Sequence, residues 1–160
     1  MGKREGMPMS VSLDQVDMSI LGYLQANGKE SYSEIARCLG VSEGTVRSRI
    51  NKMLRHNVFE FIIHTNPNKI GLDVQTIIGL STKLGMQDEI ASKLQRFSEV
   101  RFVGAFSGNH DLILQAYFRN NEDLVNFVNR DLAQIDGILN ADVNVELKQY
   151  KDSFSYLTPE

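Results

Sequence analysis

The sequence has one cysteine, three prolines and no tryptophan among its 160 residues. Because Cys38 is the only cysteine, an intrachain disulfide is excluded and we expect a reducing, cytoplasmic location. No apolar run approaches the ~18 residues that a membrane-spanning helix requires, so we expect no membrane partner. The first residues, MGKREGMPMSV, carry charge but no apolar segment, so 1–11 is predicted to be a disordered lead-in and not a signal peptide.

Motifs for catalysis and metal binding are also missing. The chain has no glycine fingerprint for phosphate, and His56, His64 and His110 lack cysteines or acids at zinc-ligand spacing. No Ser-His-Asp arrangement is indicated by position. Cys38 lies beside Leu39 in a predicted short helix, and we interpret it as a core residue. The sequence therefore predicts neither an enzyme nor a metal site, and no cofactor.

Charge is unevenly distributed along this mildly acidic chain. The formal net charge of −3 is the sum of +1 from residues 1–66 (8 Lys/Arg, 7 Asp/Glu) and −4 from residues 67–160 (9 Lys/Arg, 13 Asp/Glu). Within 43–56, Glu43 alone opposes four basic residues, a local charge of +3. Because a phosphate backbone senses local charge, this segment indicates a nucleic-acid partner.

Capping signals predict three helices in the first third of the chain. Asp14 is a candidate N-cap of the first helix, Ser31 begins an S-x-x-E capping box, and Ser42 is a candidate N-cap of the third. Asn27-Gly28 is predicted to end the first helix in a left-handed conformation, and Gly40 to end the second. Two helices, a tight glycine turn and a further helix are the cue for a helix-turn-helix.

The helix-turn-helix domain is predicted over 12–58, with its third helix as the recognition helix. Val46, Ile50, Met53 and Leu54 form a predicted buried stripe, so the opposite face is available to DNA. Residues early in a recognition helix reach base edges and later ones reach phosphates. The base-edge candidates are Glu43, Gly44, Thr45, Arg47 and Ser48, and the N-cap Ser42 is a further candidate DNA-binding residue. The phosphate candidates are Lys52 and Arg55.

Two interpretations of this basic helix remain open. Arg49 lies nearer the core, and it either reaches a DNA phosphate by extending its long side chain or pairs with an acid of the first helix such as Asp17. The basic residues together form either a DNA-contacting surface or an ordinary solvated helix face. The caps and the glycine turn favour DNA contact.

Beyond the third helix, periodicity changes from helical to alternating. Asn57 is a candidate left-handed C-cap, and VFEFIIHT predicts a strand, so 59–72 is interpreted as a strand and linker. Over 73–150 the pattern predicts strands at VQTIIGLSTKL, VRFVGAFS, LILQAYF and DVNVEL, with helices after the first and the third. Gly104 is a candidate bulge, Asp136-Gly137 a turn, and 151–160 a C-terminal tail.

This βαββαβ order is typical of a ferredoxin-like fold, so the chain is predicted to be an α+β protein with two domains. Two helices would cover one face of the sheet. Ile113, Ala116 and their neighbours leave the other face partly apolar, and a sheet of that kind usually meets a partner. We therefore expect a homodimer through this domain.

Three stretches resemble the Lrp/AsnC (feast/famine) family of transcription regulators. LDQVDMSILGYLQANGKESYSEIARCLGVSEGTVRSRINKML is similar to the family's helix-turn-helix signature. FSGNHDLIL and RNNEDLVNFVNRDLAQIDGI resemble its C-terminal ligand-sensing domain. The resemblance implies a winged-helix-like DNA-binding domain, double-stranded DNA as partner, and dimers that assemble into tetramers, octamers or larger rings.

The resemblance also implies an amino acid or related small metabolite as effector, held where two dimers meet. Carried over to this sequence, the effector-binding residues are Gly108, Asn109, His110, Asp111, Ala133, Gln134 and Asp136. The carboxylate of Asp111 suits an ammonium group, and a glycine-containing loop suits a carboxylate. The alternative is a plain turn in which Asp111 caps the loop and Gly108 takes a positive φ.

Three functions follow from these observations. The first is a sequence-specific transcriptional regulator modulated by an amino acid or related metabolite. The second is a sirohaem-decarboxylase-like enzyme on the same scaffold, which the basic third helix disfavours. The third is an architectural DNA-binding protein without an effector, because Ala141 and Val143 stand where the family often has threonines.

Overall fold

The computed structural model describes residues 11–153 and 156–157. The chain divides into two compact units. One comprises the described residues up to Ile63 together with those after Tyr150, and the other comprises His64–Tyr150. Each unit has its own hydrophobic core.

The first unit is a three-helix domain with α1 (Gln15–Ala26), α2 (Tyr32–Leu39) and α3 (Glu43–Arg55). The predicted N-caps are confirmed: the Asp14 carboxylate accepts from Asp17 N–H, and the Ser31 hydroxyl accepts from Glu34 N–H. The reciprocal half of the predicted Ser31 capping box is not formed, because Ser31 N–H donates to Glu30 and Glu34 pairs with Arg37. The helices bury one apolar face each around a shared core, which consists of Ile20, Leu21, Leu24, Ile35, Ala36, Val46, Ile50 and Met53.

Two predictions, one on the end of α1 and one on a core residue, are wrong in this unit. Asn27 does end α1, but in an extended conformation with φ −147°, and its side chain instead caps the following turn through Lys29 N–H. Cys38 is exposed and does not belong to the core, and its Sγ lies 3.9 Å from Glu34 Oε1. The left-handed conformation of Asn57 is confirmed, with φ 53°.

The segment predicted as a strand at 58–65 forms no strand. A strand requires a hydrogen-bonded neighbour, and composition alone cannot supply one. Val58 and Phe59 pack against the helical core, whereas Phe61, Ile62 and Ile63 are exposed. After Tyr150 the chain returns to the first unit, where the backbone N–H groups of Tyr156 and Leu157 donate to the Gln25 side chain.

The second unit is an antiparallel sheet with helices, as the βαββαβ pattern predicted. Its elements are β1 (Val74–Thr82), α4 (Gln87–Leu94), β2 (Val100–Ala105), β3 (Leu112–Phe118), α5 (Asn121–Asn126) and β4 (Ile138–Val145). The strand order is β2-β3-β1-β4, with β1 and β3 in the centre. After α5, a π-helical turn at Phe127–Asp131 and a 3-10 turn at Leu132–Gln134 lead into β4.

One face of this sheet is covered by the helices and the other is open. The covered face presents Ile78, Leu80, Leu112, Leu114 and Phe118 to apolar residues of α4 and the α5 region. Ala116 also lies on this covered face, so its expected contribution to the open face is wrong.

Strand details differ from the prediction at two places. The bulge lies between Val100 and Phe102 rather than at Gly104, whose Cα is covered by the Phe102 and Phe106 rings. β4 begins at Ile138 rather than at Asp142, because its pairing with β1 extends back to the Gly137 turn.

Candidate DNA interface and effector site

The turn and cap before α3 determine where the recognition helix begins. Gly40 ends α2 with φ 65°, a conformation that favours glycine. The Ser42 hydroxyl then accepts from Thr45 N–H at 3.1 Å and lies 2.9 Å from the Thr45 hydroxyl. Val46, Ile50 and Met53 are buried and Leu54 packs half-buried against the same core, so the predicted core stripe of α3 is confirmed.

The predicted DNA-contacting residues lie on the remaining surface of α3. Thr45 and Arg49 are half-buried. The others are exposed: Ser42, Glu43, Gly44, Arg47, Ser48, Lys52 and Arg55. An open cleft of about 700 Å³ lies between the start of α1 and the first turns of α3, and Gly44, Thr45, Ser48 and Lys52 line one side of it.

Arg47 has two partners on the surface of the domain. Its Nη2 donates to Glu43 Oε1 at 2.7 Å, and its guanidinium carbon lies 5.3 Å from the centre of the Tyr32 ring. The side chains of Arg47 and Glu43 are 58% and 48% exposed, so this pair is solvated and easily separated. Tyr32 was not among the predicted site residues, because its contact with α3 depends on the crossing of two helices.

Arg49 belongs to an ion cluster with Asp14 and Asp17, which we call the α1–α3 ion cluster. Its Nη1 donates to Asp14 Oδ1 at 2.8 Å, to Asp14 Oδ2 at 2.7 Å and to Asp17 Oδ1 at 2.8 Å. Of the two interpretations of Arg49, the structure therefore shows pairing with acids of the first helix.

The same carboxylates also cap α1. Asp14 N–H donates to Asp17 Oδ2 at 3.1 Å, and Asp17 N–H donates to Asp14 Oδ1 at 2.9 Å. The bond from Asp17 N–H, followed by the Arg49 guanidinium, holds the pKa of Asp14 below its usual value. Hydrogen bonds to Asp17 and Asp14 raise the pKa of Arg49. Sequence periodicity could suggest Asp17 as a partner, but it could not show three close contacts to one guanidinium nitrogen.

In the second unit, the Gly108–Asp111 loop is fastened to the end of β1. Gly108 has φ 138°, and Asp111 Oδ2 accepts from Thr82 N–H at 2.6 Å and from the Thr82 hydroxyl at 3.1 Å. The positive φ of Gly108 matches the turn interpretation, but the Asp111 carboxylate bonds to Thr82 of β1 instead of capping its own loop. Both hydrogen bonds end on the same carboxylate oxygen.

The other predicted effector residues lie across β1 from this loop. Lys83, next to Thr82, donates its N–H to Gly137 O at 2.8 Å, and its ammonium lies 3.4 Å from Asp136 Oδ1. The structure thus brings the Asp111 loop and the Asp136 turn to opposite sides of the end of β1. Ala133 and Gln134 are exposed in the 3-10 turn just before it, and Asn109 is exposed in the loop.

His110 points away from this arrangement and onto the open face of the sheet. Its ring covers Gly79, where an added Cβ would lie only 2.5 Å from Cδ2. Its Nε2 lies 3.4 Å from Asp142 Oδ2, while Nδ1 is buried without a hydrogen-bond partner among the described residues. The side chains of His110 and Asp111 therefore point in different directions, although the two residues are adjacent in sequence.

Neither a metal site nor a membrane-spanning helix is seen in the described part of the chain. There, no group of three or more His, Cys, Asp or Glu side chains is placed to hold a metal ion. None of the described helices is long and apolar enough to cross a membrane.

The fold and the exposed α3 together define a helix-turn-helix DNA-binding protein with a separate ferredoxin-like domain. Residues 13–54 match the family model described as the AsnC-type helix-turn-helix domain, and residues 75–156 match the Lrp/AsnC ligand binding domain. The chain belongs to the Lrp/AsnC family of transcriptional regulators.

Relatives agree with this assignment. An HTH-type transcriptional regulator from Pyrococcus furiosus is 37% identical over 134 residues, which cover 83% of this chain and 90% of the relative. The regulator LrpA from Pyrococcus horikoshii is 33% identical over 127 residues, covering 79% of this chain and 90% of LrpA.

Two solved structures share the fold. A Neisseria meningitidis transcriptional regulator in complex with L-Met has a TM-score of 0.84 at 24% identity, covering 90% of this chain and 96% of that chain. AsnC from E. coli has a TM-score of 0.84 at 24% identity, covering 89% and 97%.

Proposed function

We propose that the protein binds double-stranded DNA through α3 and acts as a homodimeric, effector-modulated regulator without catalytic activity. The observation that carries the DNA-binding part is the division of α3 into a buried stripe and an exposed polar face. Ser42, Glu43, Gly44, Thr45, Arg47 and Ser48 are the proposed base-edge residues. Lys52 and Arg55, for which no ion pair is seen within the described residues, are the proposed phosphate ligands.

Salt dependence of DNA binding tests the phosphate contacts. Each contact contributes about 0.9 to the slope of log K against log salt, so a substitution removing one contact per subunit lowers the slope of a dimer by about 1.8. We expect Lys52→Met and Arg55→Met each to do so, measured by fluorescence anisotropy on a duplex from the protein's own upstream region. Lys93→Met, in an exposed pair with Glu89 on α4, is the control. Equal slopes for all variants would argue against α3 as the interface.

A dimer is supported by the apolar residues on the open face of the sheet. Phe102 pairs with Gln115, which pairs with Ile77, so these side chains form a row across three strands. Phe102 and Ile77 are exposed, and so is Phe106 nearby. A dimer would place two copies of α3 in successive major grooves, about 34 Å apart.

Light scattering after size exclusion tests the dimer. We expect Ile77→Asp to give monomers, because the second sheet would bury its carboxylate. Val125→Asp introduces the same charge at an exposed position of α5 and should leave the dimer intact. Dimers formed equally by both variants would place the interface elsewhere. Assembly of dimers into tetramers, octamers or larger rings is also proposed and is measured in the same experiment.

The effector site is proposed at the end of β1, between the Asp111 loop and the Asp136 turn. Asp111 Oδ1 is the proposed acceptor for an amino acid's ammonium, since Oδ2 already accepts two hydrogen bonds from Thr82. N–H groups of Gly108 and Asn109 are the proposed donors to its carboxylate, with Ala133 and Gln134 completing the rim. The L-Met complex of the Neisseria meningitidis protein supports an amino acid as ligand class.

A thermal-shift screen of the twenty amino acids tests the effector proposal. A ligand that binds only the folded protein at 100 times its Kd stabilises it by about 2.7 kcal/mol. We expect at least one amino acid to raise the melting temperature of the wild type, and Asp111→Asn to lose that increase. Asp88→Asn on α4 is the control for loss of one carboxylate. If no amino acid shifts the wild type, the effector-independent architectural function is favoured.

A further inference from the structure

We infer that Arg49 is a positioning residue that holds the recognition helix, and not a ligand of DNA phosphate. The inference rests on the proposed DNA-binding function and deepens it by separating the four basic residues of α3 into different roles. It begins from the α1–α3 ion cluster, in which one guanidinium nitrogen contacts three carboxylate oxygens within 2.8 Å.

The first step concerns charge. The α1–α3 ion cluster contains two carboxylates and one guanidinium, so it carries one more acid than base. Arg49 Nη1 already has three anionic oxygens, from Asp14 and Asp17, at hydrogen-bond distance. A phosphate approaching Arg49 therefore also approaches Asp14 and Asp17, and its attraction to the guanidinium is offset by repulsion.

The second step concerns burial. The Asp17 side chain is only 3% exposed, and that of Arg49 is 29% exposed. Moving Arg49 onto DNA would leave the Asp17 carboxylate buried without a cation, which is strongly unfavourable. By contrast, the exposed pair of Arg47 and Glu43 separates at little cost. Arg47 can therefore turn to a base edge while Arg49 stays in place.

The third step concerns geometry. Asp14 is the N-cap of α1 and Asp17 lies in its first turn, so both carboxylates are fixed to the start of that helix. Arg49 lies in the middle of α3. The cluster therefore fastens the middle of the recognition helix to the first turn of α1, beside the cleft lined by Gly44, Thr45 and Ser48. Loss of the contact would let α3 shift relative to the rest of the domain.

The experiment compares Arg49→Met with Lys52→Met in salt-series anisotropy titrations on the upstream duplex. All measurements are made at a temperature at which circular dichroism shows each variant to be folded. We expect Arg49→Met to weaken DNA binding about tenfold, the size of one lost base contact, without changing the slope of log K against log salt. Lys52→Met should lower the slope by about 1.8. Arg49→Lys, which retains the charge, is the second variant if Arg49→Met does not fold, and we expect a smaller loss with the same slope.

The two possible roles of Arg49, phosphate ligand and positioning residue, predict opposite effects of Asp17→Asn on DNA affinity. If Arg49 were a phosphate ligand held back by acids, removing one acid would release it, and binding would tighten with a steeper slope. If Arg49 positions α3, Asp17→Asn weakens binding as Arg49→Met does. Glu60→Gln, which removes an exposed acid of the same unit, is the control for the general loss of negative charge.

Several outcomes overturn the inference. They are a lower slope for Arg49→Met, tighter binding for Asp17→Asn relative to Glu60→Gln, or unchanged affinity in folded Arg49→Met. The last would mean that Arg49 only stabilises the domain. Failure of the proposed function itself is recognised separately, because the wild type would then not bind the duplex even at low salt, and the inferred role would fail with it.

Discussion

The coupling between Asp17 and Arg49 should be measurable as a difference in the free energy of unfolding, without any DNA. Breaking a buried ion pair costs about 3–5 kcal/mol, and because Arg49 is 29% exposed we expect Arg49→Met to cost about 2–3 kcal/mol. Asp17→Asn leaves the contacts between Arg49 and Asp14 in place, so it should cost about 1–2 kcal/mol. The double variant should cost little more than Arg49→Met alone, which corresponds to a coupling energy of about 1–2 kcal/mol.

Urea unfolding of the four proteins, followed by far-UV circular dichroism, measures this cycle. The pair of Glu43 and Arg47 on the same helix is the matched control, because it has the same chemistry but is solvated. Its cycle, with Glu43→Gln and Arg47→Met, should give about 0.3–0.5 kcal/mol. Equal coupling energies in the two cycles, or strictly additive costs for Asp17→Asn and Arg49→Met, would refute the claim that burial makes the α1–α3 ion cluster strong.

Two further predictions concern pH and packing. Because the bond from Asp17 N–H, and then Arg49, lowers the pKa of Asp14, the unfolded chain takes up this proton more readily than the folded protein. The stabilisation is therefore complete above the ordinary Asp14 value of 3.8 and is lost as pH falls through the lower folded value, so unfolding titrations of Asp14→Asn should show a smaller loss of stability on acidification. In the second unit, Gly79→Ala should cost about 1–3 kcal/mol, because the added Cβ meets the His110 ring. In a His110→Ala background the same change should be nearly neutral, and an equal cost in both backgrounds in urea unfolding would contradict this.

Much of the first unit could be predicted because its signals are local. Ser31 and Ser42 cap helices that begin at the next residue, and Gly40 takes the positive φ that its position in a turn indicates. The buried stripe of α3 follows from helical periodicity. Such features depend on residues within a few positions of one another, which is the range that sequence patterns describe well.

The errors fall where contacts between distant residues decide the structure. Residues 58–65 have the composition of a strand but pair with no strand in the described chain. The bulge near Arg101 depends on the register between β2 and β3, whereas Gly104 only suggested a bulge by its type. The return of Leu157 to Gln25 joins residues 132 positions apart, and no local pattern indicates it.

The candidate sites show the same division between residue type and geometry. Spacing identified the exposed residues of α3, and the resemblance indicated the loop at Asp111. Neither could show that the Asp111 carboxylate binds Thr82, or that the His110 ring turns towards Gly79 and the open face. Those directions depend on how neighbouring strands are joined, and only the three-dimensional structure supplies them.

The local charge of +3 in residues 43–56 counts the four basic residues of α3 equally, but their surroundings in the structure differ. Arg49 is neutralised by two acids that come from another helix and are absent from that count. Arg47 is paired with Glu43 in a solvated contact that costs little to separate, as its proposed role at a base edge requires. Lys52 and Arg55 lie in the last turn, where a recognition helix meets the phosphate backbone. Positive charge available to DNA is therefore concentrated at the C-terminal end of α3, while its N-terminal end presents hydroxyls and one exchangeable pair, an arrangement suited to reading bases.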